Sequence, residues 1–271
     1  KRKSAETGIQ FLIATHAEEL AKGVDAAQIV SLPPNGAPVR VKSTPAVLRA
    51  MADVTNDEIT RLLASPRILY VEGATDERIL RAWAEACGAR DVLDKVVFKA
   101  MNGGGKKAMA GAADAHFLAL RQVIPGVRRL MILDFDDAST YHPDPESDTQ
   151  VEWRRKNIEN YLLVPESWSR AAMAAMGSSS GDLFTCIASD QIKEFFTSEN
   201  LLLPPGKSWR NVSASIFAAV DGKKLLFEND DSLFHRLQGG ASPVLLTRES
   251  VAAAMNPDEI HEDVFKVFDK L

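Results

Sequence analysis

Short apolar runs alternate with longer amphipathic segments in the central part of the chain. Residues 67–72, 96–100 and 129–134 have the length and composition of buried strands. Between them, residues 76–87 and about 107–122 have the apolar spacing of helices. The order strand, helix, strand, helix, strand predicts an α/β fold with a Rossmann-like, mostly parallel sheet flanked by helices.

The rest of the chain divides into three parts by its pattern. Residues 1–45 hold two short strand-like runs and one helical run, too little to enclose a core, so we expect the end of a larger domain. Residues 46–65 are helical in pattern and predict a linker to the sheet domain, residues 66–165. Residues 166–271 are mostly helical in pattern, and they predict an additional helical domain packed on or inserted into the sheet domain.

Composition narrows the class of protein without indicating an activity. The 271 residues are 45% hydrophobic and 25% charged, which is normal for a globular protein. Two cysteines exclude a disulfide scaffold, and no apolar run has the length of a membrane span, so we expect a cytoplasmic protein that does not bind membranes. With a net charge of −5, binding to nucleic acid has to use local basic clusters or metal ions.

Acidic residues follow the first and third predicted strands. Glu72 and Asp76 follow the first, and Asp134 and Asp136 follow the third. In an open parallel sheet, binding and catalytic sites lie at the carboxyl ends of the strands. These four side chains therefore converge if the two strands are neighbours. Carboxylates that lie together raise each other's pKa unless cations compensate their charge. Oxygen ligands without nearby His or Cys favour Mg²⁺ or Mn²⁺ over zinc.

The segments that contain these acidic residues resemble a known family. Val71-Glu72-Gly73-Ala74-Thr75-Asp76 and Leu133-Asp134-Phe135-Asp136 are similar to the motifs of Toprim domains, which occur in topoisomerases, primases, ribosomal RNA maturases and OLD (overcoming lysogenization defect) nucleases. The glycine-rich segment 102–106 and the acidic segment 158–163 resemble those of the OLD group. The resemblance covers residues 66–165 well and implies a Toprim-type fold there.

The N-terminal segment resembles a second element of OLD proteins. Residues 11–20 are similar to the last core strand and switch histidine of an ABC-type ATPase, with His16 as that histidine. OLD proteins join such an ATPase to a Toprim domain, so we expect residues 1–45 to be the C-terminal remnant of the ATPase. The 271 residues contain no Walker A glycine loop. The resemblance therefore implies that ATP acts only in the full-length protein, and that a homodimer would form through the missing ATPase domain.

The resemblance implies a metal-dependent DNA endonuclease or exonuclease with two Mg²⁺ or Mn²⁺ ions per site. Two cations held by carboxylates align a water molecule and stabilise the charged transition state of phosphodiester hydrolysis. Glu72, Asp134 and Asp136 are the expected catalytic carboxylates. The candidate metal ligands are Glu72, Asp76, Asp134, Asp136, Asp137, Ser139 and Glu159.

A cation near the scissile phosphate would assist such a reaction. Two glycine-lysine pairs are candidates, Gly206-Lys207 and Gly222-Lys223. The second precedes apolar positions 225 and 226, and this order resembles the OLD pattern more closely. We therefore predict Lys223 as the assisting lysine and Lys207 as the second candidate.

Contacts with DNA would use local positive charge and exposed backbone amides. The glycines let the backbone approach a phosphate closely. The candidates are Gly103, Gly104, Lys106, Lys107, Arg154 and Arg155. Because no zinc finger or recognition helix is present in the sequence, we expect little sequence specificity.

Two other functions remain open at this stage. Asp134-Phe135-Asp136 also suggests a phosphatase similar to haloacid dehalogenases, although that chemistry needs the Asp-x-Asp pair at the first strand and here it follows the third. The second alternative is a non-catalytic Toprim-like module, as in recombination mediators, that binds nucleic acid or a partner protein. The presence of every acidic position of the motifs favours catalysis. Topoisomerase and primase activities are disfavoured because their companion domains are not visible.

Overall fold

The structure is a computed structural model that forms two compact units. One contains Lys1–Pro66 and Asp114–Val127, and the other contains Arg67–Ala113 and Arg128–Leu271. The residues described are 12–15, 24–31, 38–41, 56–101, 104–135, 139–177, 183–239 and 243–271. Four predicted site residues, His16, Gly103, Asp136 and Asp137, lie outside these ranges.

The first unit holds small elements of secondary structure. Strands β1 (Val30–Ser31) and β2 (Val39–Arg40) pair antiparallel after a 3-10 turn at Ala26–Gln28. Helix α1 (Asn56–Ala64) lies in the predicted linker. The assignment of residues 1–45 to an ATPase stays a prediction.

The second unit is built on a four-stranded sheet. Its strands are β3 (Arg67–Val71), β4 (Val97–Ala100), β5 (Arg128–Leu133) and β6 (Gln150–Glu152), in the order β4-β3-β5-β6. All neighbouring strands are parallel, which confirms the predicted α/β fold with a parallel sheet flanked by helices. The three apolar strands were predicted from the sequence, whereas the polar strand β6 was not.

The helix after β3 positions the first acidic motif. Helix α2 (Ala74–Ala86) starts directly after Gly73, whose N–H donates to Asp76 Oδ2 at 3.1 Å. The helix therefore begins two residues before the predicted range 76–87, and the carboxylate of Asp76 binds the amide of the N-cap residue Gly73. Ile79 and Trp83 are fully buried on the inner face, as the apolar spacing predicted.

The helical C-terminal region shares one hydrophobic core with the sheet. Trp168, Val251 and Val264 belong to the same buried cluster as Leu69 and Ile132. Consequently residues 166–271 are packed with the sheet within one compact unit. The helices from α3 to α10 are α3 (Arg90–Asp94), α4 (Lys106–Val123), α5 (Pro165–Met176), α6 (Leu183–Ser198), α7 (Ser215–Ala219), α8 (Leu233–Gln238), α9 (Arg248–Ala253) and α10 (Glu262–Lys270). Within the described ranges, no helix combines the length and the apolar character that crossing a membrane requires.

Candidate functional site

Two of the predicted acidic residues meet at the carboxyl edge of the sheet. Strands β3 and β5 are neighbours, and Tyr70 is opposite Met131 in their register. The residues that follow the two strands, Glu72 and Asp134, therefore lie at the same edge, and, besides burial, the negative charge of Glu72 raises the pKa of Asp134. The sequence predicted both residues at strand ends, and the pairing of β3 with β5 supplies the condition for their convergence.

Burial and the negative charges nearby raise the pKa of two of these carboxyl groups, Asp134 and Asp76. Burial raises the pKa of Asp134 well above its usual range, and the negative charges of Glu72, Asp76 and Glu159 raise it further. Burial also raises the pKa of Asp76 to about 6; the hydrogen bond from Gly73 opposes the shift, and Glu159 and Glu72 add to it. Four carboxyl groups therefore lie within mutual electrostatic reach. We call Glu72, Asp76, Asp134 and Glu159 the acidic cluster.

Glu159 reaches the acidic cluster from a different part of the chain. It lies in the 3-10 turn Ile158–Leu162 and is 5% exposed. Its Oε1 accepts a hydrogen bond from Arg248 Nε at 2.8 Å, and this pair is largely removed from solvent. The arginine therefore neutralises one carboxylate of the cluster and fixes its position.

The structure distinguishes the two candidate lysines by their surroundings. Partial burial disfavours the charged form of Lys223, yet the charges of Glu228, Glu159 and Glu72 raise its pKa above the usual value. Its Nζ lies 3.5 Å from Glu228 Oε1 and the side chain is about half exposed. Lys207 lies in an exposed turn, and no ion pair joins it to the acidic cluster among the described residues. Only Lys223 is therefore placed beside the cluster.

The glycine before Lys223 is required by a close contact. The N–H of Gly222 donates to Asn160 Oδ1 at 3.0 Å, and the Asn160 amide donates to the carbonyl oxygens of Phe217 and Val220, both at 2.8 Å. A Cβ at position 222 would lie 2.6 Å from Asn160 Oδ1 and 2.8 Å from its backbone nitrogen. Gly222 thus holds Lys223 against the turn that contains Glu159.

Arg248 is a site residue that the sequence did not indicate. It follows Thr247, whose Oγ1 caps helix α9 by accepting the Ser250 N–H at 3.1 Å. Besides Glu159, its guanidinium lies 3.6 Å from Glu228 and 4.4 Å from the centre of the Phe227 ring. No motif marks position 248, because only the packing of α9 against α2 brings it to the acidic cluster.

The donor set of the acidic cluster suits a hard divalent cation, although no complete ligand shell is present. Among the described residues, no group of three or more His, Cys, Asp or Glu side chains is arranged to hold a metal ion. Glu159 is paired with Arg248, and Asp76 accepts from Gly73. All donors are carboxylate oxygens, the ligands that Mg²⁺ and Mn²⁺ prefer, and a cation would relieve their repulsion. Ser139, a further predicted ligand, is partly buried and its Oγ accepts the Tyr141 N–H at 3.2 Å.

Two of the predicted DNA contacts, Arg155 and Lys106, are largely buried. Arg155 is 4% exposed, and its guanidinium donates to the carbonyl oxygens of Asn160 at 2.9 Å and Val212 at 3.2 Å. Lys106 is 9% exposed and pairs with Glu152 at the end of β6. Both side chains are engaged in internal contacts, and contact of either with DNA stays a prediction.

The other predicted DNA contacts have different surroundings. Arg154 is half exposed, and it is paired with Glu262 at 2.5 Å and Asp263 at 2.7 Å, so its charge is balanced within the protein. Gly104 and Lys107 are exposed near the start of α4. Gly104 has φ +99°, a backbone conformation that favours glycine. Contact of these three residues with DNA stays a prediction.

Comparisons with known proteins add no identification. No family model matches the chain, and neither the curated proteins nor the solved structures contain a match.

The raised pKa of Asp76 predicts a pH-dependent effect of Asp76→Asn. A carboxyl group whose folded pKa is about 6, against 3.8 in the unfolded chain, stabilises the fold below pH 4, and this stabilisation is lost as the pH rises through 6. Since Asn stays neutral, we expect the variant to be more stable than the wild type at pH 7.5 by on the order of 2 kcal/mol in EDTA, and by less at pH 5. Urea unfolding at both pH values measures the difference. Exposed Asp258→Asn is the control, and an equal effect of both substitutions would contradict the electrostatic account.

The contact at position 222 predicts that Gly222→Ala destabilises the protein. The new Cβ would overlap the backbone and side chain of Asn160, so we expect a loss of about 2 kcal/mol or more in the free energy of unfolding. Gly111→Ala is the matched control, because a Cβ added to this helical glycine would meet no atom within 4 Å. Since Ala is the better helix former, the control should be neutral or stabilising by about 0.5–1 kcal/mol. Equal stabilities of the two variants by chemical denaturation would disprove the close-contact explanation.

Proposed function

We propose that the protein is a metal-dependent nuclease that hydrolyses phosphodiester bonds of DNA with Mg²⁺ or Mn²⁺. The observation that supports this most is the convergence of four carboxyl groups, from three separate segments, beside one accessible lysine. Such a cluster is electrostatically unfavourable by itself, and sites of strained electrostatics are typical of binding and catalysis.

The acidic cluster supplies the ligands in this proposal. Glu72 and Asp134 follow neighbouring strands, and Asp76 and Glu159 complete the set within the described residues. By resemblance, Asp136, Asp137 and Ser139 add further oxygen ligands from the loop after β5. When bound there, two divalent cations supply an activated water molecule and stabilise the charge that develops on the phosphate.

Lys223 and Arg248 have separate tasks. The neighbouring carboxylates favour the protonated form of Lys223, so its partly exposed ammonium group keeps a positive charge with which to bind a phosphate oxygen. Arg248 contacts Glu159 directly and orients that carboxylate. The positive charges of Lys223 and Arg248 also lessen the repulsion that an approaching DNA strand would meet at the acidic cluster.

The resemblance to OLD proteins places this activity in a larger protein. We assign residues 66–165 to a Toprim-type domain, because the acidic motifs follow the two central strands of the sheet order β4-β3-β5-β6. The chain is then the nuclease half of an ATPase–nuclease protein. ATP and homodimer formation belong to the ATPase half in this assignment.

Loss of the cluster's carboxylates should abolish cleavage. We expect Glu72→Gln and Asp134→Asn each to lower the rate of plasmid cleavage in Mg²⁺ or Mn²⁺ by at least about 100-fold, because each removes a charged ligand for the cations. Exposed Asp258→Asn should cleave like the wild type, and EDTA should stop all cleavage. The fold is checked by circular dichroism, since both substitutions are nearly isosteric. Full activity of either cluster variant would refute the assignment of that carboxylate.

The positions of the two lysines predict a difference in activity. Lys223→Ala should slow cleavage by roughly 10- to 1000-fold, the range for losing one charged group that stabilises a transition state. Lys207→Ala should be near wild type because Lys207 lies in an exposed turn without an ion pair to the acidic cluster among the described residues. The readout is single-turnover cleavage of labelled DNA. The reverse order would mean that the surroundings of Lys223 do not indicate its role.

A further inference from the structure

A pocket of about 230 Å³ lies beside the acidic cluster. Thr75 lines it and precedes Asp76 of the cluster in the chain. Arg248 lines it as well, and the same side chain contacts Glu159 at 2.8 Å. The pocket and the acidic cluster therefore share a wall, so a molecule bound at one is within reach of the other.

The pocket combines aromatic surface with positive charge. Phe227 and Phe234 line it with ring centres 6.3 Å apart, and Leu246 adds aliphatic surface. The Arg248 guanidinium covers one face of Phe227 at 4.4 Å. Phe234 is only partly buried, so part of this aromatic surface is accessible. Flat apolar surface flanked by a guanidinium is the chemistry that binds a nucleobase joined to a phosphate.

Polar side chains also line the pocket. Arg78, which is exposed, lies 3.6 Å from Glu249 in an ion pair at its edge. Thr75 and Thr247 add hydroxyl groups to the lining. These side chains provide donors and acceptors for the edge of a base, whereas the rings provide the stacking surface.

We propose that this pocket receives one unpaired nucleobase of the DNA strand whose phosphate lies at the acidic cluster. The inference rests on the proposed nuclease function and specifies its substrate. A base within a duplex is stacked and paired, and it has to leave the helix before it can enter a side pocket. The protein therefore prefers single-stranded DNA, or strand ends and flaps, over blunt duplex DNA.

The preference is tested by binding without cleavage. Fluorescence anisotropy measures the Kd of the protein for a labelled single-stranded oligonucleotide and for a blunt duplex of the same sequence, with Ca²⁺ as the cation and a gel to verify intact DNA. Phe234→Leu keeps an apolar side chain but removes the stacking ring. Phe265→Leu is the control, because Phe265 is also partly buried beneath an arginine, Arg210 at 4.1 Å, but does not line the pocket.

The wild type should bind the single strand more tightly than the duplex. Phe234→Leu should weaken single-strand binding about 10-fold, since stacking of one base contributes on the order of one factor of ten or more, and should change duplex binding less than about 2-fold. Phe265→Leu should match the wild type. Equal binding of both DNA forms by the wild type, or equal affinities of the two leucine variants for the single strand, would overturn the proposal.

Cleavage separates this proposal from the proposed function. If the wild type cleaves DNA in Mg²⁺ or Mn²⁺ while Phe234→Leu leaves single-strand binding unchanged, the pocket assignment fails and the nuclease stands. If single-strand binding depends on Phe234 while no DNA is cleaved, the nuclease fails and the pocket stands.

Discussion

Repulsion among carboxyl groups at the carboxyl edge of a parallel sheet is the constraint on which the account depends. The parallel pairing of β3 and β5 brings Glu72 and Asp134 to the same edge, and burial of the Asp134 carboxyl group reduces the water that would screen its charge. The fold does not need this arrangement for its own stability, because the core beneath the edge is apolar. The repulsion within the acidic cluster is unfavourable for folding, and a bound cation that neutralises the carboxylates explains best why the cluster is present.

The helical C-terminal region completes the site that the sheet begins. Asn160 connects the turn around Glu159 with the segment that presents Lys223, through hydrogen bonds to Gly222 N–H and two carbonyl oxygens. Arg248 connects helix α9 to the same turn. The segments that these hydrogen bonds connect pack on the hydrophobic core that the helices share with the sheet. The positions of Lys223 and Arg248 therefore depend on the packing of helices against the sheet.

Elements of the fold could be predicted from the sequence where a local run of apolar residues marked a buried strand. The apolar runs before Glu72 and Asp134 predicted two strands with these residues at their ends, and the structure pairs those strands as neighbours. Strand β6 is short and polar, so no apolar period marked it. The basic run at Arg155 suggested a surface patch, yet that side chain is buried, since polarity alone does not indicate which member of a charged run faces inward. Arg248 depends on contacts between segments far apart in the chain, which local patterns do not record.

The central claim is that the acidic cluster binds divalent cations, and anomalous diffraction from crystals soaked in Mn²⁺ tests it most directly. The account predicts anomalous peaks in contact with carboxylate oxygens of Glu72 and Asp134, with Lys223 close by. Mn²⁺ bound only at other acidic surfaces, with Glu72 and Asp134 free of metal, would contradict it.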